Sequence, residues 1–168
     1  KGAKVGLLTT EGFRDSLEIR RGWRDDVGAH REPNPPVLVP RHLRLPVRGR
    51  VDADGSVFQP LEREDIVGIR TAFELEGVES VGICLFNSFA NARHEQICAE
   101  ELREHWDWVS VSHEIAPVIG EYERSSTAVV NAYVAPRTAT YLQNLNERLA
   151  VLGLLRPILL TQNNGGVI

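Results

Sequence analysis

Apolar residues come in short blocks whose period changes along the chain, and the changes mark the elements. Val5–Thr9 is an apolar run ending in polar residues, the pattern of a buried strand that reaches a sheet edge. Thr10 is placed to cap a helix over Glu11–Arg20, with Glu11 favoured in its first turn. Gly22, Gly28, Pro33, Pro35, Pro36 and Pro40 then forbid a regular element, so residues 21–40 are expected to form a long loop. Leu43–Val51 alternates as a strand, Asp52–Gly55 turns, and Ser56–Gln59 returns, which predicts a hairpin. Glu62–Glu76 has helical spacing, with Ile66, Ile69 and Phe73 on one face and Gly77 at its end. Ser80–Phe86 reads as a central strand. Asn91 caps a helix to about Trp106 with Ile97, Cys98 and Leu102 inward, and Val109–Ser112 is the next strand. A long helix is predicted over Glu121–Leu152, kinked or broken near Pro136, its second half burying Leu142, Leu145, Leu149 and Leu152. Ile158–Thr161 is the last expected strand. Strands alternating with helices predict an α/β fold: a mixed sheet, flanking helices and an inserted β-hairpin.

Composition narrows the partners. The 168 residues carry a net charge of −4, with 42% hydrophobic and 25% charged residues, a balance typical of a globular protein. Nothing argues for nucleic acid or an anionic membrane surface. Arg41, Arg44, Arg48 and Arg50 alternate with apolar residues, so they read as the solvated face of a strand. No apolar run approaches the ~18–20 residues that span a bilayer, and no membrane partner is expected. Cys84 and Cys98 sit in apolar periodic segments and read as reduced core residues of a cytoplasmic protein. The chain has no methionine and opens on Lys1, so it is expected to be an internal piece of a longer reading frame, cut at both ends.

Candidate chemistry concentrates in Ser112–Pro136. His113, Glu121, Glu123, Arg124 and Ser126 fall in one short span before and inside an apolar periodic run. On spacing alone the favoured reading is the plain one, Glu123–Arg124 as a surface ion pair and Ser125, Ser126 or Thr127 as a cap. His113 follows a strand and reads as a general base or ligand, or as a hydrogen-bonded structural histidine. His94 shares the apolar face of Cys98 and Leu102 and reads as packed. Asn163, Asn164, Gly165 and Gly166 follow a predicted strand, where α/β sheets bind ligands and glycine lets backbone approach a phosphate; a plain turn is the competing reading. No metal site is expected. Asp52-Ala53-Asp54-Gly55 opens like a calcium loop, but Arg63 stands at the twelfth position, which requires Glu.

Five phrases in order carry a family resemblance: LLTTEGFRDSLEI, LVPRHLRLPVRGRVDADG, ICLFNSFANARHE, SHEIAPVIGEYERSSTAVVNAYVAP and TQNNGG. They resemble the hydantoinase A/5-oxoprolinase family over essentially the whole chain. The resemblance implies part of an actin-like, sugar-kinase-like ATPase fold. Residues 1–112 would belong to the family's N-terminal domain and 113–168 to the start of its catalytic domain. It implies a parent enzyme that opens a cyclic amide (a hydantoin or 5-oxoproline) with ATP and Mg²⁺, the fragment alone being inactive. Its two phosphate loops would lie upstream and downstream of the chain. The block Glu121–Ser126 looks like the family's E-Y-E-R-[TS]-[ST] phrase, which turns the odds toward a catalytic role. A hydantoinase B-type partner subunit or fused domain is implied, in the cytoplasm. The alternatives are a subunit of an acetone- or acetophenone-type carboxylase acting on a ketone, toward which Arg21–Asp26 leans, and a non-catalytic interaction segment. Arg20 stands where many members have Gly, and Asn163 where the family often has Ser. The polar ends at Ser112, Glu121–Ser126 and Thr161–Gly166 are expected to converge. Arg124 would then present a cation to an anionic group, and its removal would cost turnover more than fold.

Overall fold

The computed structural model describes residues 2–22, 28, 37–154 and 156–161. The chain divides into two compact units, Lys1–Pro136 and Arg137–Ile168. No helix among the described residues is long and apolar enough to cross a membrane.

The first unit is built on a four-stranded parallel sheet. Its strands are β1 (Val5–Thr10), β2 (Arg44–Val47), β5 (Ser80–Cys84) and β6 (Val109–Val111), in the order β2-β1-β5-β6. All residues of β1 and β5 are buried, which accounts for their mainly apolar spelling; the buried polar residues at their ends, Thr10 and Ser80, are hydrogen-bonded to the Phe86 N–H and the Trp108 carbonyl. Pro46 lacks an N–H to donate and lies in β2, an edge strand.

Helices cover both faces. On one, Phe73 of α2 (Arg63–Leu75) lies so close to Gly6 that a Cβ there would stand 2.7 Å from the ring. Ile66, Ile69 and Phe73 are the buried residues of that helix, as its period predicts. Leu7 and Gly82 are register partners on the other face, where Gly82 meets the Ala128 backbone of α5 (Glu121–Val151). The helix α3 (Arg93–Arg103) follows β5 and buries His94, Glu95, Cys98, Ala99 and Leu102.

Several expected elements are shorter. Of Glu11–Arg20 only α1 (Ser16–Ile19) is helical. Thr10 does not cap it, because its hydroxyl oxygen accepts the Phe86 N–H, and Gly12 has φ 89°. The run Leu43–Val51 splits into a 3-10 turn at Arg41–Leu43, the edge strand β2, and β3 (Arg50–Val51). Gly49, at φ 148°, makes the break and lies against Leu61. The hairpin forms as expected between β3 and β4 (Val57–Gln59), in a separate two-stranded sheet. Asn87 and Asn91 pin it by donating to the carbonyls of Val51 and Gly55.

In the second unit the leucine period holds, but the burial is incomplete. Leu142, Leu145 and Leu149 are half-buried, and Leu152 is 82% exposed. Ile158–Leu160 form no strand, and Thr161 makes only an isolated bridge. One helix, α5, runs through Pro136, where the ring removes the N–H that would bond Ala132.

Candidate functional site

Because the sheet is parallel, all its carboxyl ends lie along one edge. Two segments leave that edge with polar side chains. Leu85–Ser88 follow β5, and Ser112 and His113 open the short helix α4 (Ser112–Ile115) directly after β6. Between them the structure builds a buried hydrogen-bonded chain. Arg124, wholly buried, donates to Ser88 Oγ and to the Leu85 carbonyl, and lies 3.3 Å from a Glu121 oxygen. Ser88 Oγ is 3.2 Å from Ser112 Oγ, and Ser112 Oγ donates to Glu95 Oε1 over 2.6 Å. Glu95 is also wholly buried. It further accepts the Leu85 N–H at 2.7 Å, the His113 N–H at 2.9 Å and a contact from His113 Nδ1 at 2.7 Å.

The proton directions follow from the ends of this chain. Arg124 is donor-only, so Ser88 Oγ accepts from it. Ser112 spends its proton on Glu95, so Ser88 donates to Ser112. A guanidinium and a carboxylate are thus bridged by two hydroxyls aligned in one sense.

Each candidate residue has a definite place. His113 stands at the strand edge with its side chain 16% exposed. Glu121 lies beside Arg124, so the Ser112 strand end and the start of α5 meet. The third phrase expected there, Asn163, Asn164, Gly165 and Gly166, lies outside the described residues. Arg124 does not present a free cation. Its amino groups are spent on Leu85, Ser88 and Glu121, the Phe89 ring lies 5.6 Å away, and Nε has no partner among the described residues. A charge so enclosed is part of the packed fold, which removes the premise of an exposed helix-start residue on which the expected cost to turnover rested. Glu123 is half-buried beside Gly120 and pairs with Arg21, whose hydrogen bond holds that carboxyl below the usual range. Ser126 lines a separate cleft of about 230 Å³ with Leu17, Arg20, Leu38, Tyr122 and Val129. Arg20 there has φ 53° and ψ −130°, a conformation that favours glycine.

Sequence reasoning passed over Ser88 and Glu95. Glu95 carried a readable signal. It shares the face of Cys98, Ala99 and Leu102 at helical spacing, and an acid on a core face must find partners. Ser88 carried none, because only the loop after β5 brings it to Ser112. The basic stretch also departs from expectation: Arg44 is wholly buried, while Arg41 and Arg48 pair with Asp15 and Asp65. His94 is packed as expected, and burial lowers its pKa. Cys84 and Cys98 are free and buried, and burial pushes the Cys98 thiol up to about 12.

Among the described residues no three His, Cys, Asp or Glu stand together as metal ligands.

Comparison with known proteins places this architecture. The family model for the hydantoinase/oxoprolinase N-terminal region matches residues 1–106. Caprolactamase subunit alpha of Pseudomonas jessenii is 41% identical, over 99% of this chain and 24% of that protein. The acetophenone carboxylase gamma subunit of Aromatoleum aromaticum is 35% identical, over 99% of this chain and 25% of that protein. The crystal structure of the ATP-dependent caprolactamase from Pseudomonas jessenii superposes with a TM-score of 0.93 at 40% identity, covering 99% of this chain and 25% of the other. The chain thus spans about a quarter of the length of these relatives. The matched region and the nearly complete coverage at these identities agree with the parallel sheet and its strand-end chemistry: the chain belongs to the hydantoinase/oxoprolinase family.

Proposed function

We propose that the chain is the N-terminal part of an ATP-dependent subunit that opens a cyclic amide. The observation that carries this reading is the 41% identity to caprolactamase subunit alpha, maintained over 99% of the chain. That protein's name specifies a lactam, which is a cyclic amide. A hydantoin or 5-oxoproline offers the same ring carbonyl and nitrogen. ATP and Mg²⁺ belong to this proposal through the same likeness, with Asn163, Asn164, Gly165 and Gly166 as the candidate phosphate contacts within the chain. An actin-like arrangement of the whole parent and a position in the cytoplasm belong to it as well.

Among the described residues, His113 is the group proposed to move a proton, since it is a partly accessible imidazole at the strand edge whose Nδ1 is held by Glu95. Glu121 holds Arg124, which fixes the Leu85–Ser88 loop. Glu123, paired with Arg21, and Ser126, in the cleft with Leu17 and Arg20, are proposed to act from that side of α5. Relatives named as subunits imply a partner subunit for the parent.

The likeness to the acetophenone carboxylase gamma subunit supports a second reading, a carboxylase acting on a ketone. One assay separates them: ATP turnover by the full-length protein with its partner, with lactam, hydantoin, 5-oxoproline or acetophenone added. Stimulation by a cyclic amide is expected. Stimulation by the ketone alone establishes the second reading. No stimulation by either, together with loss of assembly on changing the hairpin, indicates an interaction segment.

A further inference from the structure

We infer that Glu95 is a positioning residue: it holds His113 with its proton on Nδ1 and so leaves Nε2 as a proton acceptor at the carboxyl ends of β5 and β6. The inference rests on the reading above that this edge meets substrate.

Glu95 is wholly buried, yet its four contacts are all to groups that can donate. Leu85 N–H and Ser112 O–H reach Oε1 at 2.7 and 2.6 Å, while His113 N–H and Nδ1 reach Oε2 at 2.9 and 2.7 Å. An ionised carboxylate is acceptor-only and satisfies all four. The main-chain N–H groups cannot reverse direction. Ser112 is oriented from behind by the chain that begins at Arg124. These three fixed donors prevent the carboxylate from turning, so the imidazole nitrogen facing it must carry the hydrogen.

The other ring nitrogen is therefore the basic one. Nε2 has no hydrogen-bond partner among the described residues, and the side chain is 16% exposed. The same carboxylate stabilises the cation formed when Nε2 takes a proton, without moving. The other charges nearby are already paired: Arg103 with Glu114 of α4 at 2.8 Å, and Arg124 with Glu121 of α5 at 3.3 Å.

The test uses full-length protein labelled with ¹⁵N-histidine, with the His113 signals assigned by their loss in His113→Gln. The Nδ1–H tautomer is expected in the wild type, and a shift toward Nε2–H in Glu95→Gln. Lactam-dependent turnover in the same preparations should fall at least ~100-fold in His113→Ala, the scale of a lost general base. Glu95→Gln should lower kcat at constant KM. Added imidazole should restore part of the activity to His113→Ala and none to Glu95→Gln. A wild-type Nε2–H tautomer overturns the inference, as does an unchanged kcat in His113→Ala. If Glu95→Gln does not fold, the wild-type tautomer decides. If no cyclic amide stimulates turnover, the functional reading fails while the tautomer still tests Glu95.

Discussion

Two arginines, Arg44 and Arg124, are each wholly buried in the first unit, and their surroundings differ. Arg44 meets carboxylates directly, Glu18 at 2.8 Å and Asp15 at 3.7 Å, and donates to the Val39 carbonyl. Its acids are themselves 36% and 37% exposed, so water shares the charge. Arg124 meets one carboxylate directly, Glu121 at 3.3 Å, and otherwise neutral acceptors, while the buried Glu95 is reached through two serine hydroxyls. The first arrangement ties α1 and the 3-10 turn to the edge strand β2. The second aligns donors along the strand ends and finishes at a histidine. Burying a charge costs several kcal/mol unless it is paired, and the manner of pairing decides whether the result is a tether or a polarised site.

That contrast breaks most visibly when each arginine is removed. Arg124→Met leaves Ser88 and the Leu85 carbonyl without a donor and Glu95 without its counter-charge. About 3–5 kcal/mol of stability should be lost, the cost of breaking a buried pair. Arg44→Met should cost less, because Glu18 and Asp15 can be hydrated where they stand. Thermal midpoints of the full-length variants rank the two; equal losses would erase the distinction.

Ser112→Ala interrupts the relay without touching either charge. It should cost about 1–3 kcal/mol, the range for an unsatisfied buried group. The shift should be non-additive with Arg124→Met in a double-mutant cycle, since both act on one chain.

Acid should act on the Arg44 side. Hydrogen bonds from Arg41 and Arg44 lower the pKa values of Asp15 and Glu18 below their ordinary 3.8 and 4.5. A depressed folded-state pKa gives stability that is present above those ordinary values and lost as pH falls below them through the folded ones. The midpoint should therefore fall with acid below about pH 4.5, and Asp15→Asn with Glu18→Gln should flatten that fall.

The smallest effect concerns the thiols. Burial raises the pKa of Cys84 and that of Cys98, the latter to about 12, so neither should react with iodoacetamide in the native protein at pH 8. Mass spectrometry reads the labelling, and prompt modification of either thiol would show that this core opens.

The legible parts of the chain were those with strong local periodicity. Ile66, Ile69 and Phe73 mark α2 unambiguously because a 3.6-residue period has one buried face, and β1 and β5 are mainly apolar because both their faces are covered. Glu11–Arg20 misled for the converse reason: Thr10 is a good cap, but its hydroxyl was claimed by Phe86, 76 residues away. The leucines of α5 showed the right period without revealing how deeply they would be buried.

The sequence by itself therefore determined the alternation of elements, the inserted hairpin and the family, since each rests on local spacing or on ordered phrases. Only the tertiary structure decided what the polar residues do. Whether an arginine is a surface cation, a tether or the head of a relay depends on which distant groups reach it. Arg124 meets Ser88 and Leu85 across 36 and 39 residues of chain, and His113 meets Glu95 across 18. Those partnerships arise where β5 and β6 end side by side, and the cost of an unpaired buried charge selects them.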